Sequence, residues 1–210
     1  MTIQHDIEWV LSHEGRVSVT RKGASANPSS FGHNTFLRDY LYEYDLMQIM
    51  IDTGNKEITR VMVPQDYLNP DAINIRFKDG RAIFGEAPPP PCTIFSSNFS
   101  GCSFYLYHQG PVLRAVHAHR GKAGGVSRLI DPTKYISYMG GKMIWSYATL
   151  GKIKDTGVGV GKSHFVGIIC HLDHTDAYCF AYEYYPEDKE HCDHVTKLLC
   201  KETVHGWPGK

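Results

Sequence analysis

Residues 102–119 read CSFYLYHQGPVLRAVHAH, and this stretch decides the fold class. Two runs of β-favouring residues flank the turn residues His108-Gln109-Gly110-Pro111, which predicts a β-hairpin. A two-residue turn at Gln109-Gly110 pairs residues whose numbers sum to about 219, so we expect Cys102 directly opposite His117. Directly opposed side chains in an antiparallel pair share a face, with Cβ atoms about 4.5–5.5 Å apart. The hairpin therefore predicts a thiol and an imidazole side by side.

Short alternating runs bounded by turn residues recur on both sides of this hairpin. They predict further hairpins over residues 47–63, 74–84 and 165–185. Two segments, 37–44 and 142–149, fit a helix as well as a strand.

Residues 187–204 show a different pattern. They follow Pro186 and carry Val195, Leu198 and Leu199 at helical spacing, which predicts a closing helix. We therefore predict an α+β fold, with a β-sandwich or mixed central sheet of antiparallel hairpins and with peripheral helices and loops.

The overall composition is that of one globular domain over residues 1–210. The chain is 42% hydrophobic and 21% charged, which excludes a disordered protein, and no apolar run approaches the length of about 18 residues typical of a membrane span. Basic and acidic side chains number 22 each, which argues against nucleic-acid binding by phosphate neutralisation. We expect a monomer with no membrane span and no nucleic-acid partner. The opening residues MTIQHDIEWVLSHEG lack the pattern of a classical signal peptide.

The glycine-rich stretch Gly157-Val158-Gly159-Val160-Gly161-Lys162-Ser163 resembles a phosphate-binding loop. The Walker pattern requires a glycine five positions before Gly161, where this chain has Thr156. A phosphate loop also opens a helix, whereas the residues that follow Ser163 predict a strand. We therefore expect no nucleotide at this stretch.

The last third of the chain is rich in cysteine and histidine, which raises the alternative of a zinc-binding interaction module. No two of its cysteines show the close spacing of structural zinc sites, and apolar surroundings suit cysteine as a small hydrophobic residue. The spacing favours buried thiols and exposed imidazoles, and the zinc alternative stays open. The residues concerned are Cys170, His171, His174, Cys179, His191, Cys192, His194 and Cys200.

Cys102 and His117 have the chemistry of a nucleophile and its base. An imidazole nitrogen beside a thiol accepts the thiol proton as the sulfur attacks a carbonyl carbon. Gly101 leaves room for a substrate near the backbone, and the amides beside Cys102 are candidate donors to an oxyanion. The same register displaces His119 by two residues and places it opposite Ser100, so His117 is the predicted base.

The motif Ser100-Gly101-Cys102, followed by His117, resembles the catalytic centre shared by the cytotoxic necrotizing factor toxins and the Burkholderia lethal factor. The resemblance extends to the hairpin around Asp52-Thr53-Gly54-Asn55 and to Gly110-Pro111-Val112. It covers about residues 45–120 and leaves the remainder unmatched. The spacing from Cys102 to His117 is similar to that of the necrotizing factors and longer than that of the lethal factor.

This resemblance implies a cysteine-dependent protein-glutamine deamidase that needs neither a metal nor a cofactor. Cys102 would be the nucleophile and His117 the base. Ser96 stands where the lethal factor has a threonine that orients the histidine, a task performed by a backbone carbonyl in the necrotizing factors. A cysteine protease or a transglutaminase with the same pair stays open as an alternative.

The resemblance also implies a target and a location. The substrate would be a host protein, either a Rho-family GTPase or a translation-initiation helicase. The protein would be a bacterial toxin, secreted or injected, that acts in the host cytosol.

Overall fold

A computed structural model describes residues 2–20, 35–37, 40–64, 67–78, 80–123, 126–129, 131–149, 164–187 and 192–208. These residues form two helices, α1 (Ile3–Ser12) and α2 (Thr133–Tyr138), and sixteen strands. In chain order the strands are β1 (Arg16–Thr20), β2 (Thr35–Leu37), β3 (Tyr40–Tyr42), β4 (Tyr44–Asp52), β5 (Glu57–Met62), β6 (Ala72–Ile75), β7 (Ala82–Glu86), β8 (Cys92–Phe99), β9 (Ser103–Gln109), β10 (Val112–Ala118), β11 (Arg120–Ala123), β12 (Val126–Leu129), β13 (Lys142–Ala148), β14 (Phe165–Leu172), β15 (Asp176–Pro186) and β16 (Cys192–His205).

Eight strands close into a barrel in the order β1-β16-β15-β14-β8-β6-β4-β5. A six-stranded sheet of order β13-β9-β10-β7-β3-β2 forms the second large unit, and β11 pairs with β12. The predicted β-rich fold with few helices is therefore confirmed. The barrel was not predicted from the sequence, and it closes through a parallel pairing of β1 with β5.

The core is divided into layers by the alternation of side chains along the strands. One cluster fills the barrel, with Phe95, Ile169 and Phe180 at its centre and α1 packed against it through Ile7, Val10 and Leu11. Those three residues recur at the spacing of a helix face, which explains why this segment is helical.

A second cluster lies between the barrel and the six-stranded sheet. Ile94 and Ile168 come from the barrel, whereas Phe104, Leu106 and Ala115 come from β9 and β10. The outer face of the six-stranded sheet packs against α2 through Phe84, Tyr107, Val116 and Ile136. The layer between barrel and sheet is where the candidate site lies.

The predicted helix over residues 187–204 is wrong, because this region contains the long strand β16. Leu198 packs into the barrel cluster and Leu199 packs against the layer between the sheets, as neighbouring residues of a strand do. The pairing of β15 with β16 shifts between Ala181 and Tyr182 and again between Glu183 and Tyr184. Such bulges interrupt the period of two, and the apolar spacing then resembles that of a helix.

The predicted hairpin over residues 74–84 is also wrong. β6 pairs with β4 and β8 in the barrel, whereas β7 pairs with β10 and β3 in the other sheet. The hairpins β4–β5, β9–β10 and β14–β15 are confirmed, and both ambiguous segments form strands. Neither helix in the described part of the chain is long and apolar enough to cross a bilayer.

Candidate functional site

Cys102 and His117 face the same layer, between the barrel and the six-stranded sheet. Along β10, Leu113 and Ala115 face this layer, whereas Val116 and Ala118 face outward, so the alternation directs His117 inward. Cys102 directly precedes β9 and belongs to the same inner cluster. The shared face of the thiol and the imidazole agrees with the prediction.

The predicted register of the hairpin is wrong by two residues. His117 pairs with Phe104, and Val112 pairs with Gln109. The turn is Gly110-Pro111, with a φ of 57° at Gly110, because glycine supplies the positive φ that tight hairpin turns require. Cys102 lies just beyond the last pair of the ladder, Ala118 with Ser103, and continuing this register sets it opposite His119, with His117 two residues away. The expected placement of His119 opposite Ser100 is therefore also wrong, and the register no longer favours His117 over His119.

Ser96, on the barrel strand β8, contacts the ring of His117. Its Oγ lies 3.0 Å from Nδ1 of His117 and donates its own proton to the carbonyl of Ile75 at 3.1 Å. A hydroxyl has a single proton, so Nδ1 must be the donor in the contact with His117. This places the ring proton on Nδ1 and leaves the Nε2 lone pair as the acceptor.

Nε2 of His117 has no hydrogen-bond partner among the described residues, although the side chain is fully buried. Burial lowers the pKa of His117 to about 3, with a smaller contribution from His119. The ring is therefore neutral at physiological pH, with Nε2 as an unused buried base. An unsatisfied buried polar atom is uncommon in folded proteins, and functional groups are a frequent reason for one.

Aromatic rings hold the imidazole in place. Phe99 stacks on His117 with ring centroids 3.8 Å apart and an angle of 8° between the ring planes. Phe77 contacts the rings of His117 and His119 at centroid distances of 5.6 Å and 4.9 Å. Phe99 is buried, whereas Phe77 is 38% exposed, so Phe77 joins the ring of His117 to the protein surface.

The segment that leads into Cys102 is tied to the barrel by Tyr184. The tyrosine hydroxyl accepts a hydrogen bond from the amide of Asn98 and donates one to its Oδ1, both at 3.0 Å. Asn98 has a φ of 66°, in the left-handed region that asparagine tolerates better than most residues with a side chain. This contact holds the backbone at Asn98, four residues before Cys102.

Thr149 binds the backbone on the other side of the motif. Its Oγ1 accepts a hydrogen bond from the amide of Gly101 and donates one to the carbonyl of Cys102, both at 2.9 Å. The Gly101 amide is therefore occupied, which removes it from the candidate oxyanion donors. The sequence analysis did not identify Thr149, because 47 residues separate it from Cys102 and no local pattern marks the contact.

His119 has a structural partner. Its Nδ1 accepts a hydrogen bond from the amide of Gly80 at 2.8 Å and so ties the end of β10 to the segment before β7. Its hydrogen bonding thus differs from that of His117, whose Nδ1 contacts Ser96 and whose Nε2 is unused.

The thiol of Cys102 and the imidazole of His117 are closed off from solvent in this conformation. Cys102 is 1% exposed and His117 is 0% exposed. A molecule from solvent reaches the sulfur only after a neighbouring group moves, and Phe77 is an exposed group in contact with the ring of His117.

The residues of the zinc alternative are spread over different environments. Cys170 and Cys179 face each other across β14 and β15 and are buried, and burial raises the pKa of Cys170 well above its ordinary value. Nδ1 of His171 lies 3.0 Å from the hydroxyl of Thr93. No three His, Cys, Asp or Glu side chains in the described ranges are grouped as metal ligands, and His191 and residues 157–163 lie outside those ranges.

Comparisons of the sequence with known protein families and with curated proteins found no match.

Proposed function

We propose that the protein is a cysteine-dependent deamidase that converts a glutamine side chain of another protein to glutamate. The observation that carries the proposal is the contact of Ser96 with His117, which orients the imidazole with Nε2 as a hydrogen-bond acceptor. By the alternation along β10, His117 lies on the face that packs against the cluster containing Cys102. A thiol in a Ser-Gly-Cys motif and an oriented imidazole are the groups that nucleophilic attack on a carboxamide requires.

The first half of the reaction forms a thioester. Nε2 of His117 takes the thiol proton while Sγ of Cys102 bonds to the carboxamide carbon. The tetrahedral intermediate then breaks its C–N bond, and the imidazolium gives its proton to the departing nitrogen, so that ammonia leaves.

The second half of the reaction consumes water. Nε2 of His117 removes a proton from a water molecule as its oxygen adds to the thioester carbon. The C–S bond breaks, the thiolate of Cys102 recovers its proton, and glutamate is the product. Every proton transfer uses the same nitrogen, so the contact with Ser96 serves both halves.

The low pKa of His117 determines how the thiol is activated. With a pKa of about 3, the ring does not carry a resting positive charge that would stabilise a thiolate at neutral pH. The proposed mechanism is therefore proton transfer during the attack, rather than a preformed thiolate–imidazolium pair.

The closed site bears on the kind of substrate. Opening it requires a group such as Phe77 to move, and contacts with a folded partner supply the binding energy for such a change. We therefore propose a protein substrate and expect free glutamine to react poorly. By the resemblance, a Rho-family GTPase or a translation-initiation helicase of a host cell is the proposed target, and a bacterial toxin acting in the host cytosol is the proposed context.

The test is treatment of a eukaryotic cell extract with the wild-type protein and with Cys102→Ala. Tryptic peptides are then compared by mass spectrometry. Glutamine-to-glutamate conversion that depends on Cys102 supports the proposal. A cleaved peptide bond assigns the protein to the proteases, and an amine joined to glutamine assigns it to the transglutaminases.

A further inference from the structure

Thr149 contacts both backbone groups that flank the dipeptide Gly101-Cys102. Its side-chain oxygen is the acceptor for the N–H of Gly101 and the donor to the C=O of Cys102. Its own amide also donates to that carbonyl at 3.0 Å. Three hydrogen bonds from one residue thus fix the two ends of the segment that carries the thiol.

The backbone at this point requires such support. Gly101 has a φ of 112°, in a region that residues with a side chain avoid. Cys102 lies just outside β9, so the ladder to β10 ends at Ser103 and does not hold it. Thr149 follows the last residue of β13 and extends the pairing of β13 with β9 by one residue, to the carbonyl of Cys102.

The side chain of Thr149 is 2% exposed, so its hydroxyl bonds compete with little water. A buried hydroxyl that both accepts and donates has its hydrogen-bonding capacity well used, and its loss leaves an amide without a partner in the interior. The barrel side of the motif is held separately, through Tyr184 and Asn98. The two attachments come from different sheets and hold the chain at Asn98 and at Gly101-Cys102, respectively.

We infer that Thr149 is a positioning residue that fixes the backbone of Gly101 and Cys102, and with it the position of the thiol relative to His117. This inference rests on the proposed function, because it assigns Thr149 a role in the same reaction. A displacement of a reacting atom by about 1 Å costs as much as a hundredfold in rate, so backbone contacts at the nucleophile have large effects.

The test compares Thr149→Val, which removes the hydroxyl and keeps the shape, with Thr149→Ser, which keeps the hydroxyl. Thr93→Val is the matched control, because Thr93 is also a buried threonine with a hydrogen-bonded hydroxyl, and its partner, His171, lies outside the site. On the glutamine that the wild type modifies, we expect Thr149→Val to lower kcat by about tenfold or more with little change in KM. Thr149→Ser is expected to restore kcat to within a few fold, and Thr93→Val to leave it unchanged.

A second measurement does not need a substrate. Iodoacetamide modification of Cys102 is followed across pH by peptide mass spectrometry in the same four proteins. A shift of the pH profile in Thr149→Val alone supports the inference. A wild-type profile and a wild-type kcat in Thr149→Val overturn it, and so does a defect that Thr149→Ser shares in full.

The kinetic and alkylation measurements distinguish failure of the proposed function from failure of the role of Thr149. If the wild type modifies no glutamine, the proposed function fails, and the alkylation profiles alone decide on Thr149. If the wild type is active and Thr149→Val matches it in both arms, the role of Thr149 fails and the proposed function stands.

Discussion

The hydroxyl of Ser96 lies 3.0 Å from Nδ1 of His117 and donates its proton to the carbonyl of Ile75. This contact joins the barrel to the six-stranded sheet, because Ser96 belongs to β8 and His117 to β10. It determines the tautomer of the imidazole, since the hydroxyl proton is used elsewhere. The orientation of the proposed base thus depends on how the two sheets pack together.

Ser96→Ala is expected to lower the rate of deamidation by about tenfold or more. The variant leaves Nδ1 of His117 without its acceptor, so the ring loses the contact that selects its tautomer. A positioned base contributes roughly a hundredfold or more to the rate, and loss of its orientation removes part of that contribution. Ser96→Thr keeps the hydroxyl and is the control. Equal rates for Ser96→Ala and wild type, with both proteins folded, would show that Ser96 does not orient the base.

The free energy of unfolding is expected to fall as the pH is lowered from 7 to 5. Burial lowers the pKa of His117 to about 3 and that of His171 to about 4, against about 6.5 in an unfolded chain. Below pH 6.5 the unfolded state therefore binds protons that the folded state does not, and folding is disfavoured. Each histidine contributes a loss of about 2 kcal/mol between pH 7 and pH 5.

The contribution of His117 is measured with His117→Gln by urea unfolding at the two pH values. This variant is expected to lose about half of the pH dependence that the two histidines produce. His13→Gln removes an exposed imidazole instead and is the control. An unchanged pH dependence in His117→Gln contradicts the assignment of a neutral buried ring.

His117→Ala is expected to cost at least about a hundredfold in rate, whereas His119→Ala changes the rate by only a few fold. The reason is the hydrogen bonding of the two rings: Nδ1 of His119 accepts from Gly80, whereas Nε2 of His117 is an unused acceptor. Steady-state rates of the two variants decide the matter. An inactive His119→Ala together with an active His117→Ala would assign the base to His119.

Phe77→Ala is expected to speed the reaction of Cys102 with iodoacetamide. The ring of Phe77 contacts His117 and is itself 38% exposed, so its removal is expected to open a path into a layer where the thiol is 1% exposed. Tyr67→Ala is the matched control, because Tyr67 is 39% exposed and Phe77 is 38% exposed. Alkylation no faster in Phe77→Ala than in Tyr67→Ala would place the entrance elsewhere.

The sequence predicts much of the local structure of this fold because alternation and turn residues are local signals. It does not predict which strands of different hairpins pair, and for that reason β6 and β7 were expected to pair with each other. The apolar spacing of β16 predicts a helix because two bulges shift its apolar positions out of the alternation of a strand. Closure of the barrel through β1 and β5 involves segments 41 residues apart, from Arg16 to Glu57, and no local pattern indicates it.

In the candidate site, too, local features are predicted from the sequence and tertiary contacts are not. The shared face of Cys102 and His117 follows from parity along the hairpin, which survives an error of two residues in the register. Pro111 indicates the correct register, because a proline has no N–H for the ladder and therefore favours a turn at Gly110-Pro111. The contacts of Ser96 and Thr149 are tertiary, and the first was expected only by resemblance to the lethal factor.

The central claim is tested most directly by adding wild type, Cys102→Ala, His117→Ala and His119→Ala to native eukaryotic extract prepared in water enriched in oxygen-18. Hydrolysis of a thioester transfers one oxygen from water to the new carboxylate, so the product glutamate carries the label. The account predicts labelled glutamate at one or a few glutamine positions with wild type and His119→Ala, and at none of them with Cys102→Ala or His117→Ala. Conversion that persists in Cys102→Ala, or no conversion with the wild type in any extract, would contradict it.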